Sequence, residues 1–263
     1  MQTTAVTPDL IQLTRLRFVN AFLVREDDGF TLVDTTTGGA ADDLIGAAEQ
    51  AGGAIRRIAL THGHGDHVGS VDALRERLGA GVEILMPELD ARIHAGENVV
   101  EGKLPGSWPT LKTTPDVRLK AGDRVGSLEV VASPGHTPGH VSFLDTRDRS
   151  LIAGDAFTTY GGIAVPSHFY LRFPLAAMAT WDKPTAVESA RQLRALDPTV
   201  LVAGHGRAVR TPGGAMDEAI QRAGGAPAVP SATARTCCPA PAWIPMRSSR
   251  PPPSSPTPTA SRR

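Results

Sequence analysis

Six consecutive residues, His62-Gly63-His64-Gly65-Asp66-His67, bring three imidazoles and a carboxylate into one short segment. These are ligand types for a borderline divalent cation. Gly63 and Gly65 carry no Cβ, so the backbone can bend there and let several side chains converge on one point. The segment follows Ile55 to Leu60, which reads as a buried strand, and precedes Ser70 to Leu78, which reads as a helix. Ligands at the mouth of a strand-to-helix turn suit an open, catalytic metal site better than a closed structural one.

Three later elements extend the set. Pro134-Gly135-His136-Thr137-Pro138-Gly139-His140 is a Gly/Pro turn that presents His136 after the strand-like Leu128 to Ala132. Ser150-Leu151-Ile152-Ala153-Gly154-Asp155 is an apolar strand ending in an acid, and Thr199 to Gly206 is another, ending at His205. A lone His-x-His pair would be weak evidence. The complete ordered set, each member at a strand end, resembles the metallo-β-lactamase superfamily, with its His-x-His-x-Asp-His motif followed by His, Asp and His. The resemblance spans roughly residues 8 to 222.

That resemblance implies a four-layer αββα sandwich of α/β (α+β) class with two divalent cations, zinc first and iron or manganese as alternatives. His62, His64 and His136 would hold one cation, Asp66, His67 and His205 the other, and Asp155 would bridge them. Paired cations generate a nucleophile at neutral pH and polarise a carbonyl. The implied activity is therefore hydrolysis of a small ester, thioester or lactone by a bridging hydroxide, with Asp66 and Asp155 as the catalytic acids. A mononuclear iron enzyme acting on persulfides shares much of the motif, and a non-catalytic binding protein of the same fold is the rival from another class. The exported zinc β-lactamases carry Cys where this chain has Asp155. Glyoxalase II adds a helical C-terminal domain. Quorum-quenching lactonases place Tyr three residues beyond the bridging acid, where this chain has Thr158, with Tyr160 two further on.

The elements that must position these groups are legible from periodicity. Phe18 to Val24 and Phe30 to Asp34 read as strands joined through an Asp-Gly turn. Ala40 to Gln50 reads as a helix stopped by Gly52-Gly53, Val82 to Met86 as a strand, and Glu88 to Ala95 as a short helix. Gly126 to Ser133, Val141 to Asp145 and Ser150 to Ala153 read as further strands. Pro184 to Leu196 reads as a helix capped by Asp182, with Val187, Ala190, Leu193 and Leu196 in a stripe. Residues 96 to 115 form a long loop containing Trp108, a candidate pocket wall. Thr158, Tyr160, His168 and Tyr170 are the other candidate substrate contacts. His140 is expected to hydrogen-bond rather than ligate, and His94 to lie in solvent on a polar helix.

Composition narrows the class. Of 263 residues 41% are hydrophobic, normal for a globular chain, and net charge is zero. Residues 224 to 263 hold five arginines and no lysine or acid, so the body, residues 1 to 223, is mildly acidic. Such a body offers nothing to nucleic acid. The stretch 224 to 263 is rich in Pro, Ser and Arg and lacks a periodic apolar face, so the expectation is a disordered tail. The only two cysteines are the adjacent Cys237 and Cys238, which excludes a disulfide framework. With no basic-then-apolar leader and no run of ~20 apolar residues, the expectation is a cytoplasmic enzyme with a small-molecule substrate and no membrane or nucleic-acid partner.

Overall fold

The apolar runs become two sheets, seen in a computed structural model that describes residues 1–224. The first sheet has seven strands in chain order: β1 (Gln2–Ala5), β2 (Leu10–Arg15), β3 (Val19–Glu26), β4 (Gly29–Val33), β5 (Ile55–Ala59), β6 (Glu83–Pro87) and β7 (Val117–Leu119). Pairing is antiparallel from β1 to β4 and parallel from β4 to β7. The second sheet is built from β8 (Arg124–Val125), β9 (Leu128–Ala132), β10 (Val141–Asp145), β11 (Ser150–Ile152), β12 (Val200–Val202) and β13 (Val209–Arg210). Its order is β13-β12-β11-β10-β9-β8, with β11 and β12 parallel.

Each sheet buries both faces, so four layers result. Between the sheets, Phe22, Val24, Val33 and Leu85 meet Leu128, Phe143, Ile152 and Val202. The outer face of the first sheet packs on α1 (Ala41–Gln50) and α3 (Val71–Leu78) through Leu44, Ala48, Val71 and Leu74. The outer face of the second packs on α6 (Lys183–Ala195) and α7 (Gly213–Arg222) through Val187, Leu193, Met216 and Ile220. Three short helices complete the described chain: α2 (Gly65–Val68), α4 (Glu88–His94) and α5 (Pro174–Met178). The expected αββα sandwich is the architecture observed. None of the described helices is long and apolar enough to cross a membrane.

The expected strands and helices form with most ends shifted by no more than two residues, though β11 and β12 stop three residues short of Asp155 and His205, and β3 and β4 close a hairpin at Glu26 opposite Gly29. The sequence reading missed β1, whose four residues are all exposed, and β2, where Gln12 breaks the apolar run yet is buried by hydrogen bonds. It also missed α7, which opens on Gly213-Gly214, and the short α5. The expected disordered tail lies, apart from Gly224, outside the described residues.

Helix α6 does more than cover the sheet. Asp182 caps it by accepting the Thr185 N–H at 2.9 Å, as the sequence suggests. The backbone N–H of Asp182 donates to the Gly135 carbonyl at 2.8 Å, and that of Trp181 to the His136 carbonyl at 3.1 Å. Ser189 Oγ donates to the Pro134 carbonyl at 2.6 Å. The His136 turn is thus fastened to the start of α6, and the fit requires glycine. Gly135 sits at φ +130°, and a Cβ there would lie 2.3 Å from the Ala186 nitrogen. Gly135→Ala is expected to cost about 2–3 kcal/mol, which lowers Tm by roughly 5–10 °C. Thermal melting of the metal-free protein checks this; a variant melting with the parent would mean that the turn is not pinned by α6.

Candidate metal centre

All seven motif residues lie where strands end. His62, His64, Asp66 and His67 follow β5, His136 lies between β9 and β10, Asp155 follows β11, and His205 follows β12. Their donor atoms fall into groups whose members lie within 4.8 Å of one another: His62, His64 and His136; Asp66, His67 and His205; and His62, His67 and Asp155. Asp155 stands between the first two groups. Its Oδ2 is 3.4 Å from His136 Nε2 and 3.2 Å from His205 Nε2, and its Oδ1 is 3.5 Å from His67 Nε2. Asp66 Oδ2 is 3.4 Å from His205 Nε2.

The hydrogen-bond partners fix which ring nitrogen carries the proton. Thr180 Oγ1 donates to the Ala176 carbonyl at 2.8 Å, so it accepts from His136 Nδ1–H at 3.0 Å. Thr61 Oγ1 donates to Asp34 at 2.8 Å and accepts from His62 Nδ1–H at 3.0 Å. His67 Nδ1–H donates to Asp34 Oδ2 at 2.8 Å, and His205 Nδ1–H to the Phe18 carbonyl at 3.1 Å. In their neutral form these four rings therefore turn Nε2 inward as the free lone pair. His64 is reversed: its Nε2–H donates to the Pro105 carbonyl at 3.2 Å, which leaves Nδ1 bare.

Two bare nitrogens then face each other, His64 Nδ1 and His136 Nε2, 3.0 Å apart. Lone pairs so close repel unless a proton or a metal cation sits between them. His62 Nε2, His67 Nε2 and Asp155 Oδ1 are likewise buried without any partner. The donor set fits a pair of divalent cations bound by imidazole and carboxylate.

The electrostatics point the same way. Burial, helped by the neighbouring imidazoles, holds His62 well below the usual histidine range. Burial outweighs the attraction of Asp155 for His136, held well below that range, and for His64, at about 4. For His67 and His205 burial is outweighed by carboxylates: Asp34 and Asp155 raise His67 to about 9, and Asp155 and Asp66 raise His205 to about 10. Burial also pushes Asp155 and Asp66 up, but positive charge on His205 and His67 overcomes it and holds both well below the carboxylate range. A cluster that keeps its acids ionised and draws protons onto two imidazoles is a cluster that demands positive charge.

Two buried carboxylates that the motif does not contain hold these rings and loops. Asp34, at φ +60° after β4, accepts the Thr61 N–H at 2.8 Å as well as the Thr61 hydroxyl and His67. Asp90 on α4 accepts the Gly63 N–H at 2.8 Å, the Thr137 hydroxyl at 2.7 Å and the Gly139 N–H at 2.8 Å. It ties the His62–His64 turn to the His136 turn. Asp34 had a usable signal, an acid ending an apolar strand, the same pattern as Asp155. Asp90 had none: in a short polar helix it is indistinguishable by type from Glu88.

His140 plays the expected supporting part. Its Nδ1–H donates to Ser133 Oγ at 2.9 Å and its Nε2 accepts the Asp155 N–H at 2.9 Å. The expectation for His94 is corrected. It is half-buried, its Nε2–H donates to the Gly63 carbonyl at 2.9 Å, and its ring packs at a tilt against Trp108. The 96 to 115 loop wraps over His64, whose ring lies 5.1 Å from Trp108, and Gly106 at φ +82° lets the chain pass. This loop props a ring rather than lining the cleft.

The cleft over the donors is small, about 80 Å³, with Phe18, Phe173, Leu175, Ala176 and Ala179 as its apolar wall. The candidate substrate residues Thr158, Tyr160, His168 and Tyr170 do not line it. The chain turns back on itself here through a Thr158–Ala164 bridge, so Thr158 faces inward and is buried. The Tyr160 ring packs behind Phe18 and Phe173, Tyr170 donates its hydroxyl to the Gly161 carbonyl, and His168 is half-buried elsewhere. Phe18 takes their place; its position before β3 gave no sign of that.

The family model described as "Metallo-beta-lactamase superfamily" matches residues 14–205. The Bacillus subtilis protein YobT is 41% identical over 78% of this chain and 90% of its own length. Hydroxyacylglutathione hydrolase of Rhodopseudomonas palustris is 32% identical over 51% of this chain and 49% of its own. Among solved structures, TTHA1623 "in a di-iron-bound form" matches with a TM-score of 0.57 at 27% identity, covering 77% of this chain and 94% of that one.

Asp90 offers a test of how the two turns are held. An amide in its place turns an NH2 toward an N–H donor and breaks one of the three bonds. Asp90→Asn is expected to weaken zinc binding by about 10- to 100-fold, as losses of supporting hydrogen bonds usually do. Chelator competition measures this, with circular dichroism as the check on folding. Unchanged affinity in a folded variant would reduce Asp90 to a space-filler.

Proposed function

The chain belongs to the metallo-β-lactamase superfamily, and from that premise we propose that it is a dinuclear metal-dependent hydrolase acting on a small ester, thioester or lactone. The observation that carries the reading is the set of inward-facing donors gathered around the carboxylate of Asp155: His62 Nε2, His67 Nε2 and Asp155 Oδ1 are buried without a partner, and His64 Nδ1 faces His136 Nε2 at 3.0 Å. One group, His62, His64 and His136, would hold one cation; Asp66, His67 and His205 the second; Asp155 both. A pair of divalent cations there supplies Lewis acidity, making water nucleophilic near neutral pH and polarising a carbonyl. Zinc suits this mixture of nitrogen and oxygen donors, and the di-iron form of TTHA1623 makes iron the alternative to measure.

The chain's own residues do the rest. Asp66, half-exposed at the cleft and held ionised by His205 and His67, can accept the proton that water gives up and return it to the leaving group. Phe18, Phe173 and Leu175 keep bulk water from one side of the reacting carbonyl, which strengthens every charge interaction inside. A cleft of about 80 Å³ admits the reacting group only, so the remainder of the substrate lies outside it. The chain spans about half the length of hydroxyacylglutathione hydrolase. The substrate is a small molecule, with no nucleic acid or membrane engaged, and the compartment proposed is the cytoplasm.

Metal analysis of the purified protein, combined with a hydrolysis screen of aryl esters, thioesters, lactones and a β-lactam, tests the proposal. The expected result is two cations per chain and turnover of a carboxylic ester, thioester or lactone. One iron per chain without hydrolysis would overturn it. Asp155→Asn sharpens the test. The amide keeps the shape but loses the negative charge between two dications, so metal affinity and turnover are expected to fall by at least about 10- to 100-fold. Melting of the metal-free variant is expected to stay close to that of the parent. Parent-like turnover at full metal loading would reject the bridging role.

A further inference from the structure

Beside the cleft, on the far side of the hairpin turn between β2 and β3, lies a much larger groove of about 810 Å³. Its walls include Gln12, Thr14, Arg17, Tyr160, Gly206 and Arg207, and no acid lines it. Arg17 and Arg207 have neither an ion pair nor a hydrogen bond to any described residue. Arg118 alone shares that among the described arginines; the others pair with acids or donate to carbonyls or a hydroxyl, as Arg57, Arg75, Arg147 and Arg194 do to acids.

We infer that this groove binds an oxyanion, a carboxylate or phosphate at the far end of the substrate. The inference rests on the hydrolase reading for its place in catalysis, though not for the binding itself. Two guanidinium groups without partners, facing a polar groove free of carboxylates, match the planar oxyanions that arginine recognises bidentately.

The backbone commits itself to this arrangement on both sides. Leu16 and Arg17 occupy the centre of a turn closed by the Phe18 N–H on the Arg15 carbonyl at 3.2 Å. Their φ values, +51° and +72°, belong to the turn type that usually takes Asn-Gly. Non-glycine residues held there are strained, and such strain clusters at functional sites. The strained turn puts Arg17 on the groove and Phe18, the next residue, on the metal cleft. On the opposite side His205 lines the cleft while Gly206 and Arg207 line the groove. Gly206, at φ +107°, has no room for a Cβ, which would sit 2.3 Å from Thr159. Each arginine is therefore one or two residues from a group at the metal centre. Phe18 on the cleft and Tyr160 on the groove pack edge to face, with ring centroids 6.1 Å apart. A substrate with its reacting carbonyl in the small cleft can pass a short linker over this pair and set its anionic end between the arginines.

The test uses the full chain loaded with zinc and phenyl esters of matched length ending in methyl, carboxylate or phosphate. For at least one anionic ester, kcat/KM is expected to exceed that of the neutral one by about 10-fold or more, the worth of a charge-assisted hydrogen bond. The carboxylate and phosphate arms tell which oxyanion is preferred. Arg17→Gln with Arg207→Gln is expected to erase the preference, high salt to shrink it, and Arg118→Gln, a cation lost elsewhere, to retain it. Equal turnover of neutral and anionic esters by the parent, or a preference that survives the double variant, overturns the proposal. Failure to hydrolyse any ester counts against the hydrolase reading alone. In that case the groove is judged by the 15N resonances of the Arg17 and Arg207 side chains during titration with glutarate and inorganic phosphate. Saturable shifts at both arginines with either anion support the site, and their absence with both rejects it.

Discussion

Seven donor groups turned toward one another is the constraint on which the rest of this structure depends. Imidazole lone pairs and carboxylates repel at the distances found here, down to 3.0 Å between His64 Nδ1 and His136 Nε2. Nothing in a protein core relieves that repulsion except positive charge. The chain must therefore hold the donors against their own repulsion until cations arrive, and it does so by giving the outer nitrogen of every ring a fixed acceptor. Those acceptors are varied: a carboxylate for His67, hydroxyls for His62 and His136, and backbone carbonyls for His64 and His205. In a neutral ring, pinning one nitrogen as donor leaves the other as the free lone pair, and the inward-facing atoms follow.

The layered fold supplies the acceptors from every direction. β4 and β5 are parallel neighbours in one sheet, and β11 and β12 are parallel neighbours in the other. Residues that follow their carboxyl ends, Asp34, His62, Asp155 and His205, thus leave the two sheets at the same edge. The His136 turn is the exception, since it joins the antiparallel β9 and β10. It needs additional fastening, and receives it twice, from the first turn of α6 and from Asp90 on α4. Asp90 remains costly in this role: burial pushes its carboxyl up to about 6 despite three donors. The protein spends that destabilisation on keeping two ligand-bearing turns in register, which no apolar side chain could do.

The seven donors were legible in the sequence because they depend on residue type at fixed spacing; periodicity alone gave α/β or α+β, and the four-layer sandwich followed from the resemblance those donors carry. Strands of apolar residues ending in His or Asp announce themselves. The supporting groups were less legible, for physical reasons that differ case by case. Asp34 looks like an ordinary strand end, and only its contact with a ring 33 positions away gives it meaning. Asp90 and His94 sit on a helix whose composition reads as solvated, yet the 96 to 115 loop and the motif turn cover them. The cleft wall was misplaced for another reason. Of the aromatic residues after Asp155 that were expected to line it, Phe173 does, but the chain folds back at Thr158 and sends Tyr170 to a hydrogen bond with Gly161. Phe18 arrives from the opposite end of the chain, and no local pattern encodes that.

The turn that carries Phe18 shows how the centre and its surroundings are coupled. The Phe18 carbonyl accepts the His205 Nδ1–H, and its ring packs against His205, Tyr160 and Phe173. One residue therefore fixes the neutral tautomer of a donor ring through its backbone and shapes the cleft through its side chain. This double duty explains why the turn tolerates two left-handed non-glycine residues. Glycine at Leu16 or Arg17 would relax the strain, but it would also loosen the carbonyl that holds His205 in place. Strain in the turn and order at the metal centre are two sides of the same hydrogen bond.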